Sequence, residues 1–384
     1  MVSRERLIKA LNHEESDRVP VDLGTTNVTT ITLGAYTRLK EYLGIDQESK
    51  VEIVDRAQQL VKPEEKILML LGIDTRSVWL KRPGNWKAET RKDRSYVDEW
   101  GIVRKKAKGS WYFDVIVFPL EKANIDDLKR YSWPDPDDPE RFKRLKKEAE
   151  KLYRDNKYPI VVDPTGSIPF QNAQLLRGFD TLLMDLVLNQ KFAEALMDKL
   201  LDFQIELLKK LFKEAGSYID IIKVADDLGT QSGPLISPDL YKRLIKPRHR
   251  QLISFIKENS KAKVFFHSDG GIYPFIEDLI EIGVDILNPI QVSAYGMDPR
   301  KLKREFGDQL CFWGGVDTQE VLPYGNVKDV QEEVKRRIDE LAPGGGYILA
   351  PVHNIQPDVP PENICAMYKT AQEYGKNNET IVKR

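Results

Sequence analysis

One pattern recurs along the sequence: a short continuous apolar run, a polar turn and then an amphipathic helix. Continuous runs, unlike alternating ones, are typical of parallel strands covered on both faces. Leu, Ile and Phe at spacings of three and four predict helices over 192–214 and 274–282. The runs interpreted as strands are RVPVDLGTT (18–26), IDTRSVWL (73–80), YPIVVDPTGS (158–167), IDIIKVADDLG (219–229), KVFFHSDGG (263–271), VDILNPIQ (284–291), LCFWGGVD (310–317) and GYILAPVHN (346–354). Strands that alternate with helices in this way predict an α/β fold, a (β/α)8 barrel.

Residues 81–118 interrupt this pattern, because charged and aromatic residues alternate there with glycines. We interpret the segment as a pair of β-hairpins inserted over one mouth of a single barrel domain that spans 1–384. Its aromatic side chains either line a ligand pocket or pack the insertion onto the barrel, and packing is the favoured interpretation. They are Trp86, Tyr96, Trp100, Trp111, Tyr112 and Phe113.

Composition excludes several classes of function. A net charge of −1 gives no overall field that would attract nucleic acid or an anionic membrane surface. No apolar run approaches the roughly 20 residues that a bilayer requires, and the opening MVSRERLIKALNHEE lacks the apolar core of a secretory signal. We therefore expect a cytoplasmic protein. Cys311 and Cys365 are too few for a disulfide framework and have no paired metal spacing.

The last five predicted strands all end in polar side chains. In a (β/α)8 barrel the active site lies at the carboxyl ends of the strands, so these side chains should meet at one mouth. They are Asp226 and Asp227, His267 and Asp269, Asn288 and Gln291, Asp317, and His353 and Asn354. Two of the four histidines, His267 and His353, therefore face the predicted site.

A pair of imidazoles with a carboxylate forms a workable zinc site that leaves one position open. His267, Asp269 and His353 are the predicted ligands. Alternatively, each histidine is a structural residue that orients a loop. Asp226 and Asp227 either take part in the chemistry or cap the helix that follows them.

Five segments are distinctive, whereas 30–160 is much less specific: DRVPVD, VADDLGTQSGPLISPDLYKRLIKPRHR, FFHSDGGIYPFIEDLIEIGVDILNPIQ, KLKREFGDQLCFWGGVDTQEVLPYG and GGGYILAPVHNIQPDVPPENICAMY. Through these segments the sequence resembles the uroporphyrinogen decarboxylase superfamily and, within it, the zinc- and cobalamin-dependent methyltransferases, most specifically in its C-terminal half. The resemblance implies a (β/α)8 barrel with its site at the carboxyl ends of the strands.

The sequence departs from both branches of that superfamily. The decarboxylases have an arginine-rich RQAGRY segment that holds substrate carboxylates, but LGTTNVTTITLGAYTRL here has no arginine pair. The methyltransferases bind zinc through a His-x-Cys motif and a later Cys. Asp269 stands at the first cysteine position here, and His353 falls at about the second. Two imidazoles and a carboxylate make zinc a harder Lewis acid, which prefers oxygen.

We therefore predict a methyltransferase that moves a methyl group from a methoxylated compound, such as an aryl methyl ether, to Co(I) of a corrinoid protein. The cobalamin belongs to that partner, because the chain has no D-x-H-x-x-G corrinoid motif. Catalysis is assigned to Asp226, Asp227, His267 and Asp269, with Asp226 or Asp227 as a fourth ligand or an orienting residue. The predicted substrate-binding residues are Gln231, Asn288, Gln291, Trp313 and Asp317. Alternatively, the three amide side chains form turn hydrogen bonds and Trp313 packs at the end of its strand.

Several alternatives remain at this point. The chain could transfer methyl groups from methylcobalamin to a thiol or folate, act as a decarboxylase-like lyase, or bind a small molecule without zinc. A homodimer is also compatible with the sequence.

Overall fold

The computed structural model describes residues 1–46, 51–86, 90–164 and 169–375. Its centre is a parallel sheet of seven strands whose spatial order follows the chain order. The strands are β1 (Arg76–Trp79), β2 (Ile160–Asp163), β3 (Ile221–Ala225), β4 (Lys263–His267), β5 (Ile286–Asn288), β6 (Cys311–Val316) and β7 (Tyr347–Pro351). The barrel class predicted from the sequence is confirmed. Thr165, Gly166 and Ser167, the end of one predicted strand, lie outside the described residues.

Residues 19–22 link the two edges of this sheet. Val21 bridges Leu349 of β7, and its carbonyl accepts a 2.9 Å hydrogen bond from the Asp74 amide beside β1. The predicted strand over 18–26 is therefore reduced to this bridge. Pro20 has no N–H for a longer ladder, and Gly24 turns the chain away with φ +83°.

Helices surround the barrel and bury their apolar faces against it. The predicted helix over 192–214 lies within Gln190–Ala215, which buries Leu196, Leu200, Leu207 and Leu211. The predicted helix over 274–282 is Tyr273–Phe275 (a 3₁₀ turn) and Ile276–Glu281. None of the described helices combines the length and apolar composition needed to cross a bilayer. The remaining α-helices are Ser3–Leu11, Leu33–Tyr42, Glu65–Leu70, Ile125–Arg130, Leu145–Asp155, Pro169–Arg177, Phe179–Leu188, Pro238–Leu240, Lys246–Asn259, Pro299–Phe306, Val321–Tyr324, Val327–Leu341 and Pro361–Tyr374; Pro139–Phe142 and Gly216–Tyr218 are 3₁₀ turns, and Tyr241–Ile245 is a π-helix.

Two three-stranded antiparallel sheets lie outside the barrel sheet in the described part of the chain. Ser95–Val97, Val103–Lys105 and Asp114–Val117 form the predicted pair of hairpins within 81–118. Ile31–Thr32, Glu52–Asp55 and Leu60–Lys62 form a second sheet that the sequence interpretation did not anticipate.

The glycines of HSDGG allow two loops to approach each other closely. Gly270 has φ +86°, and the Gly271 amide donates a 2.8 Å hydrogen bond to the Thr230 carbonyl. Thr230 lies in a tight hairpin formed by Gly229–Thr230 and Gly233–Pro234. A β-carbon at Gly270 would lie 2.5 Å from the Gly229 carbonyl carbon, so no larger residue fits without moving the backbone.

We expect Gly270→Ala to lower the free energy of unfolding by about 3 kcal/mol or more, because left-handed strain and overpacking add together. Gly344→Ala is the matched control: Gly344 has φ +75°, but no described atom beyond its chain neighbours lies within 4 Å of the new β-carbon. It should cost only about 1–2 kcal/mol. Urea unfolding of both variants measures the difference, and equal losses would contradict the close approach.

Candidate active site

The structure brings His267, Asp269 and His353 together at the carboxyl ends of the barrel strands. His267 is the last residue of β4, and His353 follows β7 by two residues. One oxygen of Asp269, Oδ2, lies 3.7 Å from His267 Nε2 and 3.8 Å from His353 Nε2. A ligand atom from each of the three residues lies within 4.8 Å of the other two. A single ion can therefore be reached by all three side chains.

A chain of hydrogen bonds orients His267 for this role. The Asn288 amide nitrogen donates to the Trp313 carbonyl at 2.9 Å, so Asn288 Oδ1 must face His267 Nδ1, 2.6 Å away. Because that oxygen can only accept, Nδ1 carries a proton, and Nε2, on the side of Asp269 and His353, is the nitrogen left to bind a metal ion. Partners of this kind on the second ring nitrogen are usual for metal-bound histidines.

Asp269 has an unused acceptor. Its Oδ1 is buried and has no hydrogen-bond partner among the described residues. Burial alone would raise the pKa of Asp269, but in the metal-free protein His267 and His353, when protonated, lower it to about 2. The residue is thus a carboxylate at neutral pH. Two imidazoles, an ionised carboxylate and an orphaned buried oxygen fit a zinc ion.

Asp227 supports Asp269 from the neighbouring strand end. Its Oδ1 accepts the Asp269 backbone amide at 3.0 Å, and its Oδ2 accepts from the Gln171 side chain. Oδ1 is also 3.8 Å from His267 Nε2. Burial raises the pKa of Asp227, and the adjacent Asp269 carboxylate raises it further. The structure therefore places Asp227 beside the three predicted ligands.

Asp226 points the other way, contrary to the catalytic role predicted for it. Its carboxylate accepts the backbone amides of Phe170 and Gln171 at 3.0 and 2.6 Å, at the start of the helix Pro169–Arg177. His249 Nε2 lies 2.9 Å from the same group. Asp226 and Asp227 directly follow β3, and their carboxylates bind different groups: Asp226 binds the helix start and His249, and Asp227 binds the Asp269 amide. Asp226 is fully enclosed and caps the helix.

The predicted substrate-binding residues are used within the fold, and none of these described side chains borders the cavity at the site. Asn288 holds His267, and Trp313 lies deep in the barrel, where its Nε1 donates to Asp22 at 3.1 Å. Gln291 accepts the Gly270 amide at 2.7 Å and donates to Gln231 at 2.8 Å. Asp317 accepts three backbone amides ahead of the helix Val321–Tyr324. In the described part of the chain these side chains bind backbone or other protein groups, so their role in substrate binding stays a prediction.

A cavity of about 560 Å³ opens beside the three predicted ligands. Five of the six insertion aromatics line it, and Trp111 does not. Tyr96 packs edge-on to Phe113 with ring centroids 5.2 Å apart, so these side chains pack the insertion and also form the cavity wall. Further lining residues that the sequence interpretation missed include Asn27, Asp55, Arg56, Gln58, Gln171 and Lys223.

Lys223 is a buried cation at the bottom of this cavity. It is in register with Phe265, two residues before His267, and therefore lies one layer deeper in the barrel. Its Nζ donates to Asn27 Oδ1 at 2.6 Å and lies 3.4 Å from Asp163 Oδ2. Burial lowers the pKa of Lys223, an effect that Asp163 opposes. The sequence could have indicated this residue, because Lys223 interrupts the apolar run IDIIKVA and a charge in a buried strand requires a partner.

Asn288→Ala should weaken zinc binding by roughly 10- to 100-fold, because His267 loses the partner that sets its orientation. Asn363→Ala is the matched control: Asn363 is also buried and donates to the carbonyls of Leu322 and Gly325. Both variants should lose about 1–3 kcal/mol of stability. Zinc titration against a chelating dye separates them, and equal zinc affinity would refute the orienting role.

Comparison with known proteins agrees with this fold. A uroporphyrinogen decarboxylase of Geobacter metallireducens is 23% identical over 262 residues, which cover 65% of this chain and 71% of that protein. The methylcobamide:CoM methyltransferase MtaA of Methanosarcina barkeri is 26% identical over 161 residues, and the match spans less than half of either protein, 42% and 43%.

A solved methyltransferase structure from Methanosarcina mazei superimposes with a TM-score of 0.66 at 21% identity, covering 97% of this chain and 99% of that one. The profile of the uroporphyrinogen decarboxylase (URO-D) family matches residues 116–374. These residues are more than half of the sequence and include every side chain of the predicted metal group. The chain therefore belongs to the uroporphyrinogen decarboxylase family.

Proposed function

We propose that this protein is a methyltransferase that takes a methyl group from a small methoxylated compound, an aryl methyl ether, and passes it to Co(I) of a corrinoid protein. The observation that carries the proposal is the group of His267, Asp269 and His353 beside a cavity with aromatic walls. These three side chains would hold zinc. When bound, zinc would act as a Lewis acid that withdraws charge from the ether oxygen.

The ligand set favours an oxygen substrate. Two neutral imidazoles and one carboxylate leave about one net positive charge on zinc and offer only nitrogen and oxygen donors. A soft thiolate is better matched by cysteine ligands, and the two cysteines of this chain lie elsewhere. Cys311 is the first residue of β6 and is buried against Ala10 and Leu11, and Cys365 is on the helix Pro361–Tyr374.

The cavity walls favour an aromatic ring. Trp86, Tyr96, Trp100, Tyr112 and Phe113 supply ring faces and edges, and aromatic pairs contribute about 0.5–1.5 kcal/mol beyond the burial of area. The chain's own residues bind and orient such a ring, while Asp227 and Asn288 hold Asp269 and His267 in place. A carboxylate at Asp269 and a fixed tautomer at His267 keep both donor atoms directed at the same point.

The charge of the cavity argues against a porphyrinogen substrate. Among the described lining residues, six cations (Arg56, Lys81, Arg82, Arg104, Arg141 and Lys223) face six carboxylates (Asp55, Asp98, Glu99, Asp114, Asp227 and Asp269). Asp98 pairs with Arg104, Glu99 with Arg141 and Asp163 with Lys223. A substrate with many carboxylates requires an excess of cations, which this lining does not supply.

Methyl transfer to a thiol is the second candidate, because it is the reaction named for the Methanosarcina barkeri relative. It predicts a soft ligand set, whereas the three side chains gathered here offer nitrogen and oxygen. Substrate preference therefore distinguishes the two candidates directly.

The zinc-reconstituted enzyme should demethylate methoxyaromatic compounds when a Co(I) corrinoid is supplied, and free thiols should be poor methyl acceptors. His267→Ala and His353→Ala should lose both zinc and activity while the barrel remains folded, since the ligands lie at its rim. A panel of methoxyaromatics, methylamines and thiols, followed by the corrinoid absorption spectrum and elemental analysis, provides the test. Activity with thiols alone, or reconstituted protein without zinc, would overturn the proposal.

Asp269→Cys should retain zinc but lower the kcat of ether demethylation roughly 100-fold, a loss far larger than its loss of zinc affinity. A thiolate leaves zinc less electrophilic at the moment when charge develops on the ether oxygen. Asp269→Ala should lose zinc outright. Zinc content, kcat and KM are measured for both variants. If Asp269 binds substrate instead, Asp269→Ala will keep its zinc and show mainly a raised KM.

A further inference from the structure

The tip of the inserted sheet carries a concentration of positive charge. Within 91–108 there are seven Lys and Arg residues and three Asp and Glu residues, in a chain whose net charge is −1. Five of these cations are exposed, and none of the five pairs with a carboxylate in the described part of the chain. They are Arg91, Lys92, Arg94, Lys106 and Lys108, and we call them the cationic tip.

A depression of about 630 Å³ lies at the cationic tip and shares a wall with the cavity beside the predicted metal ligands. Arg94, Lys106 and Lys108 line it, together with Arg56 and Phe113, which also line the cavity. Arg56 is held at this boundary: its guanidinium lies 4.0 Å from the Tyr96 ring centroid and donates to Thr90 at 2.6 Å. The cationic tip therefore stands at the edge of the cavity that contains the predicted metal ligands.

We propose that the cationic tip is a docking surface for an acidic face of the corrinoid protein. The inference rests on the proposed function. A protein that brings its cobalt within bonding distance of a methyl group in this cavity has to cover the cavity opening, and the cationic tip lies beside that opening. Charge complementarity selects an acidic partner surface, because the five exposed cations have no counterions on the described part of this chain.

Electrostatic docking of this kind has two measurable properties. Exposed charges accelerate association at low ionic strength, and salt screens them within about 10 Å at 0.1 M. The chemistry in the cavity is not affected, because neither Lys106 nor Lys108 reaches the residues around His267. A small acceptor such as free cob(I)alamin should therefore not require the cationic tip.

The test compares Lys106→Glu/Lys108→Glu with Lys157→Glu/Lys261→Glu. Lys157 and Lys261 are exposed and lie three and two residues before the starts of β2 and β4, so the control pair makes the same charge change at the opposite end of the barrel. The acceptors are free cob(I)alamin and a cobalamin-loaded corrinoid protein from the same organism.

At low salt the KM of Lys106→Glu/Lys108→Glu for the corrinoid protein should rise roughly tenfold or more. Its rate with free cob(I)alamin and its zinc content should equal those of the wild type, and the control should stay within about twofold for both acceptors.

Two outcomes would overturn the docking surface, and a third would refute the proposed function on which it rests. If wild-type protein transfers methyl groups to free cob(I)alamin but the tip variant keeps an unchanged KM for the corrinoid protein, docking lies elsewhere. If, in addition, inorganic phosphate raises the Tm of the wild type but not that of the tip variant, the depression binds small anions instead. Wild-type protein that transfers methyl groups to neither acceptor would refute the proposed function itself.

Discussion

The parallel register of β3, β4 and β5 decides which side chains meet at the candidate site. Ala225, His267 and Asn288 are paired across these strands, so the imidazole at the end of β4 meets the amide at the end of β5. A buried amide has to satisfy its donors and its acceptor, and Asn288 does so with the Trp313 carbonyl and His267. A shift of one residue in this register would turn His267 out of the barrel, and the predicted metal group would not exist.

Several polar side chains at the barrel mouth position the fold instead of binding ligands. Asp226 and Asp317 cap helix starts, and Gln291 and Gln231 tie the HSDGG loop to its neighbours. Backbone amides at helix starts have no intrahelical acceptor, so carboxylates are recruited there. The carboxylates whose oxygens remain near His267 are Asp227 and Asp269, adjacent in space and opposed in their pKa shifts.

The URO-D barrel is a scaffold on which different chemistry is possible, and the family assignment alone does not select a reaction. In this chain, the choice depends on the nitrogen and oxygen donors of the predicted metal group and on a cavity with balanced charge. Lys223 and Asp163 add a buried ion pair beneath that group. A buried ion pair is costly unless both charges have further hydrogen-bond partners. Here Lys223 donates to the side-chain oxygen of Asn27, and the Asp163 carboxylate accepts from the backbone amide of Asn27.

The sequence by itself determined the barrel class and the end at which polar side chains collect, because continuous apolar runs specify buried parallel strands and all parallel strands end on the same side. It also marked His267, Asp269 and His353 by their positions after strands. Only the tertiary structure decided which polar residues face the cavity. Asp226 and Asp227 are neighbours in the chain, yet Asp226 binds the start of a helix and His249, whereas Asp227 lies beside His267 and Asp269. The outer wall of the cavity is formed by 54–58 and by the inserted sheet. Its position depends on contacts between segments that are distant in the chain, and no local sequence pattern specifies such contacts.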